Sequence, residues 1–573
     1  MAKINPKTAD EKVEFHGFGG IRQCALLSDI GASEMRNFRI RADGSLEKRS
    51  GYTAKMTLPS AIRAVWEGTI SNTDLLFAVS GSAVYRLIAG QSSPSAIYYL
   101  STSSGRAYFC EYAGILYLFD GSEIYRYVPG SNSFTQAKGY APLYGKNWHP
   151  TQMGEVNEDL NLLYPRIRIR YLNSVGSTQF VLPYTTAQIN RMEINGSQIT
   201  SYSFTPQTNT FTIPATLAYG VLDVWVTLAS IFNQRSTVVS ASCPCLFYNF
   251  RHEDLFLYGN GYKVFHTEPV DENMLADSQT VYSDSDPLYL PANAVFYMGD
   301  SNHPVRAMCQ RGNRLLAFND RGAWGIARDE DDILFAYTIE GSLGCNSYGG
   351  MTLCGESPIV VRSDGVFRIS FPVSEPTSCS AECLSTEVRE LLPDSLLQNG
   401  ILCWLPDRNE LWLRDPTETA AGLVWVYHLD RREWSQFDHI PAALFFQTAD
   451  DTVGFGTTSG LVALSDSLAT TDNGQAINAY YQSDYLILSH PENRKRAWRV
   501  TLSAELDSSS GQTLVVQTDR ATKTFTLSGN NLGKPILSDH RSMNGRFRYL
   551  RFRLNAPGAA RPRFYRVSVL TAD

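Results

Sequence analysis

No run of apolar residues in this sequence approaches the ~20 that a helix needs to cross a bilayer, and the opening MAKINPKTADEKVEF has no apolar core of the secretory-signal kind. The expectation is synthesis in the cytoplasm, with no membrane segment. The ten cysteines are scattered, and the close pairs, Cys243 with Cys245 and Cys379 with Cys383, lack the two-residue gap of zinc and redox pairs. They read as reduced, mostly buried small apolar residues. The nine histidines show no HExxH or other tight metal spacing, and there is no P-loop, no GxGxxG opening a helix and no GxSxG. The sequence thus predicts no metal, no cofactor and no enzymatic activity.

What is present leans towards strands. The 573 residues exceed the size of one domain several times over, and 30 Tyr, 28 Phe, 42 Gly and 26 Pro favour strands and turns over helices. Seven segments share one form: an apolar run, a short polar turn usually closed by Gly, then a run with aromatic or β-branched residues. They include LLFAVSGSAVYRLI from Leu75, ILYLFDGSEIYRY from Ile115 and LWLRDPTETAAGLVWVYH from Leu411. Each is a hairpin signal. The turn glycines Gly81, Gly121, Gly261, Gly322, Gly365, Gly422 and Gly460 are separated by 40, 140, 61, 43, 57 and 38 residues. Most of these intervals suit a blade of four strands, which runs to ~40 to 50 residues.

The interval of 140 holds an insertion at 146–245, which has its own strands in RIRIRYL, STQFVLPY, INRMEING, NTFTIP and VLDVWVTLA. The expected fold class is all-β: a β-propeller of six or seven blades with an inserted β-sandwich and a C-terminal β-sandwich. The expected boundaries are an N-terminal arm with propeller-closing strands at 1–57, blades at 58–145 and 246–470, the insert at 146–245 and a basic sandwich at 471–573. SLEKRSGYTAKM could complete the last blade.

Charge is uneven. Residues 494–573 carry 15 Lys or Arg against 5 Asp or Glu, a balance of +10 that leaves −17 for the rest of a chain of net charge −7. In RFRYLRFRL, Arg546 and Arg548 share one face and Arg551 and Arg553 share a face, offered to acidic protein surface or to phosphate. Arg166, Arg168 and Arg170 share a face of RIRIRYL. Residues 251–300 hold nine acidic and two basic side chains. Glu253, Asp254, Asp271, Glu272, Asp284 and Asp286 are candidates for an acidic wall past which DNA could slide, or for a solvated rim. A basic end and an acidic middle permit like subunits to pair head to flank.

NDRGAWGIA places Asp320, Gly322 and Trp324 near the spacing of the Asp-box turn of sialidases, but the Trp comes one residue early and the match is unrepeated. Glycoside hydrolysis would need two carboxylates about 5 to 10 Å apart, and no pair is marked out by the sequence.

The stretch from Phe18 to Tyr52, FGGIRQCALLSDIGASEMRNFRIRADGSLEKRSGY, holds a Gly-Gly-Ile start, a small and acidic run before Met-Arg-Asn-Phe, an Asp-Gly turn and a Lys-Arg-x-Gly-Tyr close. It resembles the N-terminal signature of virion proteins of tailed bacteriophages, with Ser50 where Pro often stands. The order of propeller, inserted sandwich and terminal sandwich is similar to that of tail nozzle, or packaged-DNA stabilisation, proteins. The resemblance implies a structural subunit of the virion tail, usually a homohexameric ring below the portal and adaptor, forming the DNA exit channel and docking fibres or spikes. Double-stranded DNA would pass without base readout. Arg36, Arg39, Arg41, Lys48 and Arg49 would then bridge carboxylates on a neighbouring subunit or tie the arm to its own propeller. The alternatives are a fibre-attachment or host-surface-binding tail protein and a glycan-active propeller enzyme.

Overall fold

The structure, a computed structural model, describes residues 11–22, 31–91, 93–229, 234–249, 251–270, 286–341, 343–372, 377–418, 422–487, 494, 496–506, 511–529, 531, 536–541, 546–559 and 561–572. Strands dominate: the α-helices among these residues are Arg235–Val239 and Asp394–Asn399. The chain divides into two compact units, one of 1–81, 86–94 and 340–573, the other of 82–85 and 95–339.

The fold is that of the β-propeller class. Seven sheets contain four strands in antiparallel succession, six of them from consecutive chain at 62–99, 108–136, 243–297, 307–339, 351–383 and 401–437. In six of these sheets the expected turn glycine lies between the second and third strands, and in the fifth Gly365 opens the third strand, paired with Arg362. Glu410–Arg414 and Val424–His428 are buried at every residue. The seventh sheet, from Ala442–Gln447, Val453–Thr457 and Leu461–Ser465, is completed by an N-terminal strand. With β1 (Glu11–His16), β2 (Ala32–Arg36), β3 (Phe38–Ile40) and β4 (Leu46–Lys48) preceding it, this closing strand is β5 (Tyr52–Thr57), which runs antiparallel from Leu461 opposite Thr57 to Ser465 opposite Tyr52. At the entry to that pairing Gly460 has φ +93°, and a Cβ there would lie 2.0 Å from the Leu58 carbonyl oxygen. Only glycine fits. Phe437, Trp412 and Val424 pack with Phe455 and Val453, joining the sixth and seventh sheets through one apolar core. Truncating such a ring to alanine costs about 3–5 kcal/mol.

The insert begins at Leu143, slightly before the expected 146, and its last strand ends at Leu228. A five-stranded sheet contains Arg166–Asn173, Gly220–Leu228 and Thr186–Ile194, and a second sheet of three short strands contains Gln179–Val181. Strand alternation turns Ile167, Ile169 and Tyr171 inwards against Phe180 and Phe211, whose rings stack at 5.0 Å.

The C-terminal sandwich differs from the expectation. Of the described residues before 58, β1 to β4 join the sandwich and β5 completes a propeller-type sheet. β1 and β4 both pair with Arg563–Ala572, and β2 pairs with Ala479–Ser483. Phe18, Phe38, Tyr481, Phe552 and Phe564 share its core, with Phe18 edge-on to Tyr481 at 5.1 Å and Phe38 edge-on to Phe564 at 5.7 Å. β2 also bridges to Glu433–Phe437 through Arg36 opposite Gln436. The sixth four-stranded sheet thereby continues into the sandwich as one ten-stranded sheet. Arg563–Ala572 lies between Arg496–Glu505 and the N-terminal strands, so the start of the chain is built into the sandwich sheet.

Candidate functional site

The expected signature, apart from 23–30, which lie outside the described residues, forms the seam between that sheet and the sandwich. Arg39 on β3 places its Nε 2.6 Å from Glu410 Oε1. Glu410 also accepts the Trp412 indole N–H at 3.1 Å and lies 3.6 Å from His428 Nδ1, while His428 Nε2 pairs with the Ser435 hydroxyl at 2.8 Å. Burial alone would raise the Glu410 carboxyl, but Arg39 and His428 more than offset it and hold it below the usual range. Burial pushes His428 down to about 4, so it is neutral at neutral pH.

Arg49 reaches the two Asp472 oxygens at 2.8 and 2.5 Å, Asn37 Oδ1 at 2.8 Å and the Asp438 carbonyl at 2.7 Å. The guanidinium groups of Arg39 and Arg49 both lie over the Phe437 ring, at 5.6 and 5.7 Å. Lys48 donates to the Gly558 carbonyl. With Lys48 and Arg49 each 2% exposed, these two charges are spent inside the chain and neither is presented to a partner. Arg41 is exposed and pairs with Glu47 at 2.6 Å. Arg36 is half-buried, opposite Tyr480.

In the insert, Arg166, Arg168 and Arg170 do share a face, opposite Thr227, Trp225 and Asp223. Arg168 and Arg191 lie over Trp225, at 4.9 and 5.0 Å. Asp223 accepts from Arg168 at 3.0 Å and from Arg170 at 2.8 and 2.9 Å. Burial raises this carboxyl, and the two arginines more than reverse that, leaving it below its ordinary value. Arg166 and Arg168 are buried, so of the three only Arg170 is available at a surface. Trp225 sits in VLDVWVTLA, and nothing local marked its two cations, which arrive from different strands.

Among the described acidic candidates, two are turned into the interior. Asp254 is buried and receives Arg328 Nη2 at 2.6 Å. Asp286 is buried too, accepting the Tyr117 hydroxyl and the Gly139 amide, both at 2.8 Å. These two carboxylates serve the interior because each has a donor there. Glu253 is half-buried and accepts the Ala113 amide at 3.0 Å. Asp271, Glu272 and Asp284 lie outside the described residues.

The C-terminal arginines are the ones that reach a surface. On Tyr549–Ala556, Leu550, Phe552, Leu554 and Ala556 are buried while Tyr549, Arg551, Arg553 and Asn555 alternate outwards. Arg551 lies over the Tyr485 ring at 4.7 Å and Arg553 over Tyr480 at 4.1 Å. Arg546 and Arg548 are exposed just before this strand. Sequence alternation located the arginines but not their tyrosines, which come from the segment 480–485, some seventy residues away.

No family model matches the chain, and no curated protein does. Among solved structures, the chain is similar to a mitotic checkpoint complex chain at 9% identity and TM-score 0.35, covering 72% of this chain and 95% of that one. It is similar to YCF48 bound to D1 peptide at 9% identity and TM-score 0.35, covering 73% and 96%. The WD40 β-propeller domain of Doa1 gives 11% identity and TM-score 0.32, covering 72% and 96%. Likeness at these scores carries nothing about function, and the fold class rests on the chain's own sheets.

Proposed function

We propose that this chain is a non-enzymatic structural subunit of a bacteriophage tail, a nozzle or hub protein that forms a homohexameric ring below the portal and adaptor. In this reading it lines the DNA exit channel, retains the packaged genome and docks fibres or spikes. The observation that supports it is the use made of the signature. Asn37 adopts φ +57° and donates to Asp438 at 2.6 Å, Phe38 fills the sandwich core, Asp43 caps Ser45 at 2.9 Å, and Tyr52 packs edge-on to Phe455 at 4.9 Å. Each shared residue type has an architectural task, as suits a signature that encodes a building part rather than a reaction centre.

Light scattering of the purified chain, followed by negative-stain imaging of its largest species, tests the proposal. Rings of about six subunits around a hole of roughly 20 Å or more, wide enough for a duplex, are expected. Tight, salt-sensitive binding of free duplex DNA by the purified chain would count against a conduit, because gripping many phosphates opposes passage.

A second reading, a fibre-attachment or host-surface-binding tail protein, draws on the insert. There Val175, Tyr184, Tyr202 and Tyr219 are all exposed, Tyr219 at 67%, and exposed apolar side chains of this kind suit a recognition face. Glycan or receptor binding by a monomer would favour it.

A further inference from the structure

We infer that the outer face of the sandwich sheet formed by β2, Ala479–Ser483, Tyr549–Ala556, Thr513–Thr518 and Thr522–Thr526 is a docking surface for an acidic, extended protein segment. The inference deepens the assembly reading and rests on it for the expectation that partners are proteins.

The face is laid out in rows. Glu34, Gln482, Arg553, Val515 and Thr524 form one, and Arg36, Tyr480, Asn555, Thr513 and Thr526 the next. Along the strand Arg551 and Arg553 stand about 6.7 Å apart, the repeat of alternate residues in an extended chain. Arg551 donates to Gln517 Oε1 at 2.8 Å and Arg553 to Asn555 Oδ1 at 3.0 Å. Each guanidinium is thus held over a tyrosine ring by a neighbouring side chain. Arginine and tyrosine are the residue types that carry most binding energy at protein interfaces. Held arginines can meet a carboxylate with two parallel N–H donors.

Two observations select a carboxylate-bearing segment over a nucleic acid. The anion already seated beside Arg553 is a carboxylate, Glu34, at 3.7 Å with 52% of its side chain exposed. A pair so open to water contributes little, so an incoming carboxylate can take its place. One face of each of Tyr480 and Tyr485, on which a base would stack, is already taken by this chain's own arginines.

The test uses the full chain with a fluorescein-labelled decapeptide of alternating Glu and Ser, read by fluorescence anisotropy, beside a labelled oligothymidylate of similar length. The peptide is expected to bind in a salt-weakened manner. The double variant Arg551→Gln/Arg553→Gln is expected to weaken binding about tenfold or more, and Glu34→Gln to strengthen it about two- to threefold. The second change is a gain that loss of fold cannot mimic. Absence of peptide binding, no effect of either variant, or displacement of the peptide by tighter-binding oligothymidylate overturns the inference. The ring measurement is scored separately, so each reading fails on its own evidence.

Discussion

Arg49 and Asp472 form a buried bidentate ion pair across 423 positions of sequence, each side chain 2% exposed. The pair lies where the chain leaves the sandwich and enters the seventh propeller-type sheet as β5. Replacing Asp472 by Asn leaves the guanidinium of Arg49 uncompensated in the interior. A loss of about 3–5 kcal/mol is expected, read as a lowered first transition in a thermal or denaturant melt. The matched change Arg49→Met with Asp472→Leu is expected to recover much of it.

Two residues on, Gly51 abuts a distant segment of the same chain: a Cβ there would lie 1.8 Å from the Thr471 carbonyl oxygen. Gly51→Ala is therefore expected to displace β5 from Leu461–Ser465, costing about 1–3 kcal/mol. Hydrogen exchange should show faster exchange of the β5 amides, while Gly90→Ala, at a turn where an added methyl would meet nothing within 4 Å, should leave β5 unchanged.

His428 sets a pH dependence. An unfolded imidazole takes up a proton near pH 6.5, whereas the buried ring does so only near 4. Between these values the unfolded chain binds more protons, so stability falls as pH drops through that window and is unaffected above it. Glu410, held below its ordinary value, adds to the loss at the acid end. His266 is also pushed down to about 4 and acts in the same sense, while Glu433 and Asp484, raised by burial, act in the opposite one. Comparing the slopes of wild type and His428→Gln isolates the residue. The wild type is expected to lose up to about 3 kcal/mol more between pH 6.5 and 4, measured as melting temperature across a buffer series.

Asp223 is the shared carboxylate of Arg168 and Arg170. Asp223→Asn should destabilise the insert by about 2–4 kcal/mol, because two guanidinium groups lose one counter-charge. Limited proteolysis should then cut first within 143–228, with the other segments retained.

The hairpins were legible because their information is local: an apolar run, a glycine that turns and a second apolar run lie within about fifteen residues. The insert was legible as a gap in that rhythm. The share of the sandwich built by β1 to β4 was not, since the partner of Glu11 is Thr571 and that of Ala32 is Ser483, and no window of sequence holds both. The same limit governed the candidate residues. Alternation placed Arg551 and Arg553 on one face, but whether a cation stays outside or is drawn in depends on distant carboxylates. Arg49 is interior because Asp472 is there to receive it, and Asp254 because Arg328 is.

The pairing of β1 with Arg563–Ala572 also bears on the order of events at the ribosome. Roughly 550 residues separate the two strands, so at the usual 5–20 residues per second the first waits about half a minute to two minutes for its partner. The propeller-type sheets, whose hairpins close locally, can form during that delay. The sandwich cannot. Its waiting strands expose apolar edges to any nascent neighbour, which makes this seam the step most open to chaperone capture or to strand exchange between chains growing side by side on one message.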